Sequence, residues 1–308
     1  MKTRYVIAAV ALLAVVPWIL DNRYFLHIAT MATIMIPMAT SMNLMLKIGQ
    51  LPLSHGAFMG LGSYGAALLT MRLGVPPVLS LLVGGLIAAA VAGMLGPIFL
   101  RIKGTYFVLL TFAFGEIVNL IMQDWISLTG GNSGLYGIPK FSILGFRLTA
   151  IRDYYAMGLL FTAMSFGLLW AIERSDIGAI FQSLNENEMV TRSLGGNAMA
   201  WRVAAFVLSS FIAGTAGGVY AFYIGLLTPD AFGMRTLVDL IVMNTIGGPA
   251  SIIGPMLGAI LIVPLPELLR EARQYQLLIY GISLGVFLMF FRQGLVGLLR
   301  LDKPGKKT

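Results

Sequence analysis

The stretch Pro76–Leu100, PPVLSLLVGGLIAAAVAGMLGPIFL, decides the fold. Its 25 residues include no Asp, Glu, Lys or Arg. A helix rises about 1.5 Å per residue, so about 20 apolar residues cross the roughly 30 Å hydrocarbon core of a bilayer. Moving outward with the same window, further spans fall near residues 5–20, 24–46, 51–70, 105–122, 153–172, 201–226, 236–247, 251–269 and 275–291. The expected fold class is all-α, a polytopic membrane protein of about ten transmembrane helices. The third, eighth and ninth spans are short or interrupted by Gly and Pro, which puts short or broken helices in each half. Residues 1–308 read as one transmembrane domain, with no soluble domain large enough for an enzyme.

Composition agrees. Of 308 residues, 58% are hydrophobic and 11% charged, where a soluble domain has about a quarter charged. Such a chain cannot clothe a water-facing surface, so membrane lipid is its main solvent. Cysteine is absent and there are two histidines, His27 and His55. Disulfides and thiolate metal sites are thereby excluded, and no cofactor or metal cluster is expected. The net charge of +8 sits in short segments between apolar runs, which points to the positive-inside rule rather than to nucleic acid. Thirteen of the 21 basic residues fall on one side if both termini are cytoplasmic, much of the excess coming from the basic tail 292–308. Lys2 and Arg4 ahead of Tyr5–Leu20 have the layout of a signal peptide. The run ends in Pro17-Trp18-Ile19-Leu20-Asp21 without a small-x-small cleavage site, so an uncleaved first helix is expected.

Two connections are long, Gln123–Arg152 outside and Glu173–Arg202 inside. In the second, Ile177, Ile180, Phe181, Leu184 and Val190 fall roughly on one helical face, with Glu186 and Glu188 elsewhere. Gly195-Gly196-Asn197 reads as its stop. Such an apolar stripe suits the membrane interface or a docking partner better than a solvated loop. Two Gly/Pro-interrupted stretches, Gly49–Gly56 and Gly247–Pro255, occupy corresponding places in the two halves. Broken helices at membrane depth either line a substrate path or allow close packing through small residues.

No phosphate-loop motif is present, so any ATP is bound by another chain. Paired intramembrane carboxylates for proton relay are also missing. An intramembrane enzyme would have only Glu116, Asp239 and two histidines to work with. Inside the spans stand Asn43, His55, Glu116, Asn119, Asp239 and Asn244. A charge at mid-membrane costs roughly 2.5–3.5 kcal/mol on insertion scales, so it faces a cavity or a partner. Asn43, His55, Glu116, Asn119 and Asn244 are therefore candidates for a translocation path. A satisfied structural hydrogen bond is the alternative for each, and Arg235, four residues earlier, accounts for Asp239.

Several passages resemble the permeases of branched-chain amino acid ABC importers. They are Leu51–Tyr64, Arg101–Val118, Leu128–Leu135 with Ile138-Pro139, Asn185–Glu188, Ser193–Gly195, Ala213–Tyr220, Pro229–Phe232 and Gly247–Gly258. They run in order from about residue 40 to the late spans. The resemblance implies the M-type membrane subunit of a multi-pass importer in the bacterial inner membrane. Its implied partners are a homologous second permease subunit, two cytoplasmic ATPase subunits and a periplasmic or tethered substrate-binding protein. It also implies that residues 173–202 are the ATPase-coupling segment, carried by Leu184, Glu186, Asn187, Glu188, Leu194 and Gly195. Pro52 and Ser54 stand where the family usually has Ser and Gly, and Asn185 where it usually has Arg. Urea and short amides travel on the same scaffold, so they are alternatives to hydrophobic amino acids. An ion-coupled secondary transporter is a further alternative, opposed by the scarcity of intramembrane carboxylates.

Overall fold

The computed structural model describes residues 22–143, 145–186, 197–249 and 251–269, with isolated positions from 275 to 297. The expected spans 5–20 and 275–291 lie wholly or largely outside these residues. Five described helices are long and apolar enough to cross a membrane: α1 (Arg23–Lys47), α3 (Pro77–Phe99), α4 (Thr105–Asp124), α6 (Ile151–Arg174) and α8 (Ala198–Ile224). Between them stand α2 (His55–Leu73), the single turn α5 (Ile126–Thr129) and the short α7 (Asp176–Glu186). The last continuously described residues form a broken pair, α9 (Met234–Gly247) and α10 (Ile253–Ile262), continued by α11 (Pro264–Leu268). The few strands are two residues each; Leu135–Tyr136 pairs antiparallel with Leu226–Leu227. The architecture is the expected all-α bundle.

Local sequence sets the helix ends. Asn197 caps α8, its Oδ1 accepting from the N–H groups of Met199 at 3.1 Å and Ala200 at 3.2 Å. It is thus the start signal of α8. Pro77 opens α3, where a missing N–H costs nothing.

Lipid offers no hydrophobic drive for helices to associate, so close backbone approach must supply it. Buried α8 supplies that approach against α2 and α3. A Cβ at Gly62 would overlap the backbone of Gly214, and one at Gly217 would overlap the Met59 carbonyl. Gly84 and Gly85 of α3 press on Ala66 and Thr215 in the same way. The outer faces are apolar instead, with Met94, Tyr106 and Leu109 exposed.

Pro37 lies inside α1 and lacks the N–H that would serve the Thr33 carbonyl four residues earlier. Thr162 of α6 replaces it, its Oγ1 donating to that carbonyl at 2.6 Å. Gly158 lets α6 come this close, for a Cβ there would overlap the Thr33 side chain.

Three irregular segments enter the bundle. After Lys47 the chain turns back inward, and the Leu53 N–H donates to Thr111 Oγ1 at 3.0 Å, nearly two turns inside α4. Helix α2, expected from residue 51, therefore starts at His55 and at depth. From the opposite end, the 3-10 turn Pro229–Phe232 dips in until its Phe232 carbonyl abuts Gly56. The third is the turn joining α9 and α10. At the Lys47 end Asn43 Nδ2 donates to the Pro249 carbonyl at 3.0 Å; near the other, Tyr24 OH donates to the Glu267 carbonyl at 2.9 Å. Segment 249–267 thus runs antiparallel to α1.

The packing carries a prediction about two helical glycines. Gly217→Ala should destabilise the protein by about 1–3 kcal/mol through overpacking. Gly167→Ala, where nothing lies within 4 Å of the added carbon, should gain up to about 1 kcal/mol from helix propensity. Thermal unfolding midpoints in detergent check both; equal shifts would refute the packing account.

Candidate functional site

A cavity of about 900 Å³ opens at the Lys47 end. The last turns of α1 contribute Asn43 and Lys47, and the end of α6 contributes Glu173. Asn185 of α7 and Pro249 and Ile252 of the α9–α10 turn complete the outline. Lys47 Nζ donates to Glu173 Oε1 at 2.8 Å, tying α1 to α6 at the rim. Both side chains are partly exposed, so the pair contributes at most about 1 kcal/mol and acts chiefly as a spacer. The walls combine an ion pair, amides and aliphatic side chains.

The polar residues found in the spans serve mainly as backbone ties. Asn43 bonds to Pro249, as above, and also borders the cavity. Asn244 of α9 donates Nδ2 to the Ala39 carbonyl of α1 at 3.1 Å and to its own Leu240 carbonyl at 2.9 Å. Its Oδ1 is buried without a partner. Asn119 donates to the Pro229 carbonyl at 3.2 Å and accepts from Gln123 Nε2 at 2.5 Å. His55 is fully buried where α2 begins, and neither ring nitrogen has a hydrogen-bond partner; the adjacent Ser54 Oγ is likewise alone. Glu116 is half-buried on α4, at the border between buried Asn119 and exposed Leu120, and does not line the cavity. Asp239 is half-buried on α9 and does not line the cavity.

In the described part of the 173–202 segment, Phe181 and Leu184 of the apolar stripe turn inward and Ile177 and Ile180 are half-buried, while Val190 lies outside the described residues. Phe181 packs edge-on against Trp201 with ring centroids 6.3 Å apart, and Leu184 is buried. The exposed face of α7, with Asp176, Ala179, Gln182 and Asn185, lines the cavity. Glu186 ends α7, and Asn187, Glu188, Leu194 and Gly195 lie outside the described residues. Sequence reasoning missed Thr111, Thr162 and the Lys47–Glu173 pair. For Thr162 a signal existed: Pro37 leaves the Thr33 carbonyl in need of a foreign donor. For Lys47 and Glu173, 126 residues apart, none did.

The comparisons with known proteins fit this geometry. Residues 24–291 match the family described as "Branched-chain amino acid transport system / permease component". The chain belongs to this permease family. It is 30% identical to the high-affinity branched-chain amino acid transport system permease protein LivM of Escherichia coli K12, over 99% of this chain and 77% of the relative. The Salmonella typhimurium LivM is 29% identical over the same shares. The autoinducer 2 import system permease protein LsrC of Shigella flexneri is 28% identical over 82% of this chain and 74% of its own. No solved structure matches. As a member of the permease family, the chain is a transport subunit.

The ties of this permease are testable singly. Asn119→Leu should cost about 1–3 kcal/mol, because the Pro229 carbonyl is left buried and unbonded. Thr245→Val removes an exposed bond to the Ile241 carbonyl and should change stability by less than about 0.5 kcal/mol. Unfolding midpoints of the two variants, compared with the parent, test the assignment.

Proposed function

We propose that this chain is a membrane subunit of an ABC importer and forms part of the path for branched-chain or other hydrophobic amino acids. The observation that carries the reading is the similarity to LivM along 99% of the chain. The cavity and the re-entrant turns add a physical route to that similarity. In this reading energy comes from two separate ATPase subunits and selectivity from a substrate-binding protein, with a homologous permease subunit completing the path. The chain itself lacks a phosphate loop. The protein sits in the bacterial inner membrane with both termini cytoplasmic, so the Lys47 end faces the cytoplasm and the cavity is the exit.

The path candidates divide by their surroundings. Asn43 borders the exit. Glu116, at the border of the exposed face of α4, faces the seam where the sister subunit closes the path. Asn119 and Asn244 tie the broken segments that bound it, and His55 is buried where one of them begins. Coupling runs through α7 and the residues after it, namely Leu184, Glu186, Asn187, Glu188, Leu194 and Gly195. Because the apolar side of α7 is fixed to the bundle, a push on its polar side moves α6 and α8 with it.

Deletion of this chain should abolish ATP-dependent uptake of labelled leucine, isoleucine or valine in cells that encode its partners. Uptake of urea or short amides instead would move the substrate class. Uptake by the purified chain on a proton or sodium gradient alone would overturn the importer reading. Glu186→Lys with Glu188→Lys should lower both ATPase co-purification and uptake at least about tenfold, as for loss of charge-paired contacts. Unchanged assembly and uptake would remove these residues from the coupling site.

A further inference from the structure

We propose that the loop Gly130–Lys140 is the post on which the soluble substrate-binding protein docks, met through Asn132, Ser133, Tyr136 and Lys140. The proposal rests on the importer reading and names the surface of this chain that the delivering partner touches.

The loop stands at the end of the bundle opposite Lys47. Arg72, in the last turn of α2, donates to the Ser127 carbonyl just ahead of it at 2.6 Å. Just behind it, the Phe141 N–H donates to Tyr154 OH of α6 at 3.1 Å. The Phe141 ring packs edge-on against Phe222 of α8, with centroids 5.3 Å apart. With the Lys47 end cytoplasmic, this end faces the outside.

The loop is built to hold one shape. Thr129 Oγ1 bonds the Met122 and Trp125 carbonyls, both at 2.7 Å. Gly130 and Gly134 turn the chain with φ of 81° and 85°, which side-chain-bearing residues adopt only at a cost. A Cβ at Gly130 would overlap the Gly134 carbonyl, and one at Gly134 the Leu227 carbonyl. Leu135 and Tyr136 then pair with Leu227 and Leu226. Buried anchors recur at Gly131, Gly134, Ile138 and Phe141. Between them stand Asn132 and Ser133, then Tyr136, then Lys140, all exposed, Tyr136 to 61%. Among the described residues these four side chains have no hydrogen bond, ion pair or ring contact. A backbone pinned every three or four residues around free polar tips loses little entropy when a partner arrives.

The tips say what kind of partner fits. Tyr with Asn, Ser and Gly is the mixture by which antibody loops meet protein surfaces: the ring supplies rigid contact area, and the small polar groups supply adaptable hydrogen bonds. Lys140 adds attraction to an acidic rim and speeds encounter. A lipid headgroup is the other candidate, and the loop's position disfavours it. Its pairing partner Leu227 is fully buried behind central α8, and the turn Pro229–Phe232 that dips to Gly56 follows two residues on. The post therefore stands beside the place where the chain itself enters the bundle from outside, from which a delivered substrate passes to the path.

The test uses the complete importer in liposomes, with its second permease and ATPases, titrated with the purified binding protein encoded with it. Leucine uptake and ATP hydrolysis are measured. Tyr136→Ala should raise the half-saturating concentration of binding protein about tenfold while leaving uptake at saturation within about twofold of the parent. Hydrolysis without binding protein should be unchanged. Lys140→Glu should raise half-saturation about threefold and weaken its dependence on salt. Tyr136→Phe, which keeps the ring, should stay near the parent. Unchanged half-saturation in Tyr136→Ala overturns the docking post. A fall in maximal uptake at unchanged half-saturation overturns it too, and assigns the loop to folding or to lipid. A parent importer that needs no binding protein refutes the importer reading, and the docking post with it.

Discussion

Everything in this bundle depends on one requirement: a backbone carbonyl freed at membrane depth must be bonded by the protein, because no water is there to do it. The chain breaks its own helices with prolines and turns, and each break sets a carbonyl loose. Pro37 frees Thr33, the dipping turn frees Pro229, and the α9–α10 turn frees Pro249. The replies are Thr162, Asn119 and Asn43, at 2.6, 3.2 and 3.0 Å. Each reply joins segments more than a hundred residues apart in sequence. The ties that satisfy the breaks therefore also assemble the fold.

Packing between the intact helices follows another rule. Lipid tails are as apolar as leucine, so burying leucine yields little between membrane helices, and contact area must come from closeness. That is why Gly62, Gly214 and Gly217 occupy the centre while Met94, Tyr106 and Leu109 face outward. It also explains why α2, rich in glycine and buried on most sides, is less apolar than the helices around it. Its partners are backbones and methyl groups, and hydropathy does not register them.

The all-α class and the long spans were legible because they rest on composition over windows of about twenty residues. The broken stretches near Gly49 and Gly247 were legible because Gly and Pro mark them. Their depth was not. Leu51 and Pro52 belong by composition to a span, yet the helix waits until His55, since the Leu53 N–H is held by Thr111 in another helix. The asparagines were singled out correctly as costly, but Asn119 and Asn244 bond to main-chain carbonyls on distant segments. A carbonyl belongs to every residue and leaves no trace in a sequence, so a tie and a path residue look alike there. The stripe on α7 was read as an outward surface for the same reason. Periodicity tells that a face is apolar, and only the position of Trp201 tells that the face points inward.

The two rules divide the molecule mechanically. Where glycines bring backbones together, as between α9 and α10 or between α2 and α8, no side chain can yield, and each pair is stiff. Where asparagine or tyrosine joins two segments, the link is one hydrogen bond with a net worth of about 1 kcal/mol, and water or another amide can replace it near an aqueous rim. The α9–α10 hairpin meets α1 through links of the second kind and its own partner through contacts of the first. The replaceable links lie along α1, which ends at Lys47 beside the cavity.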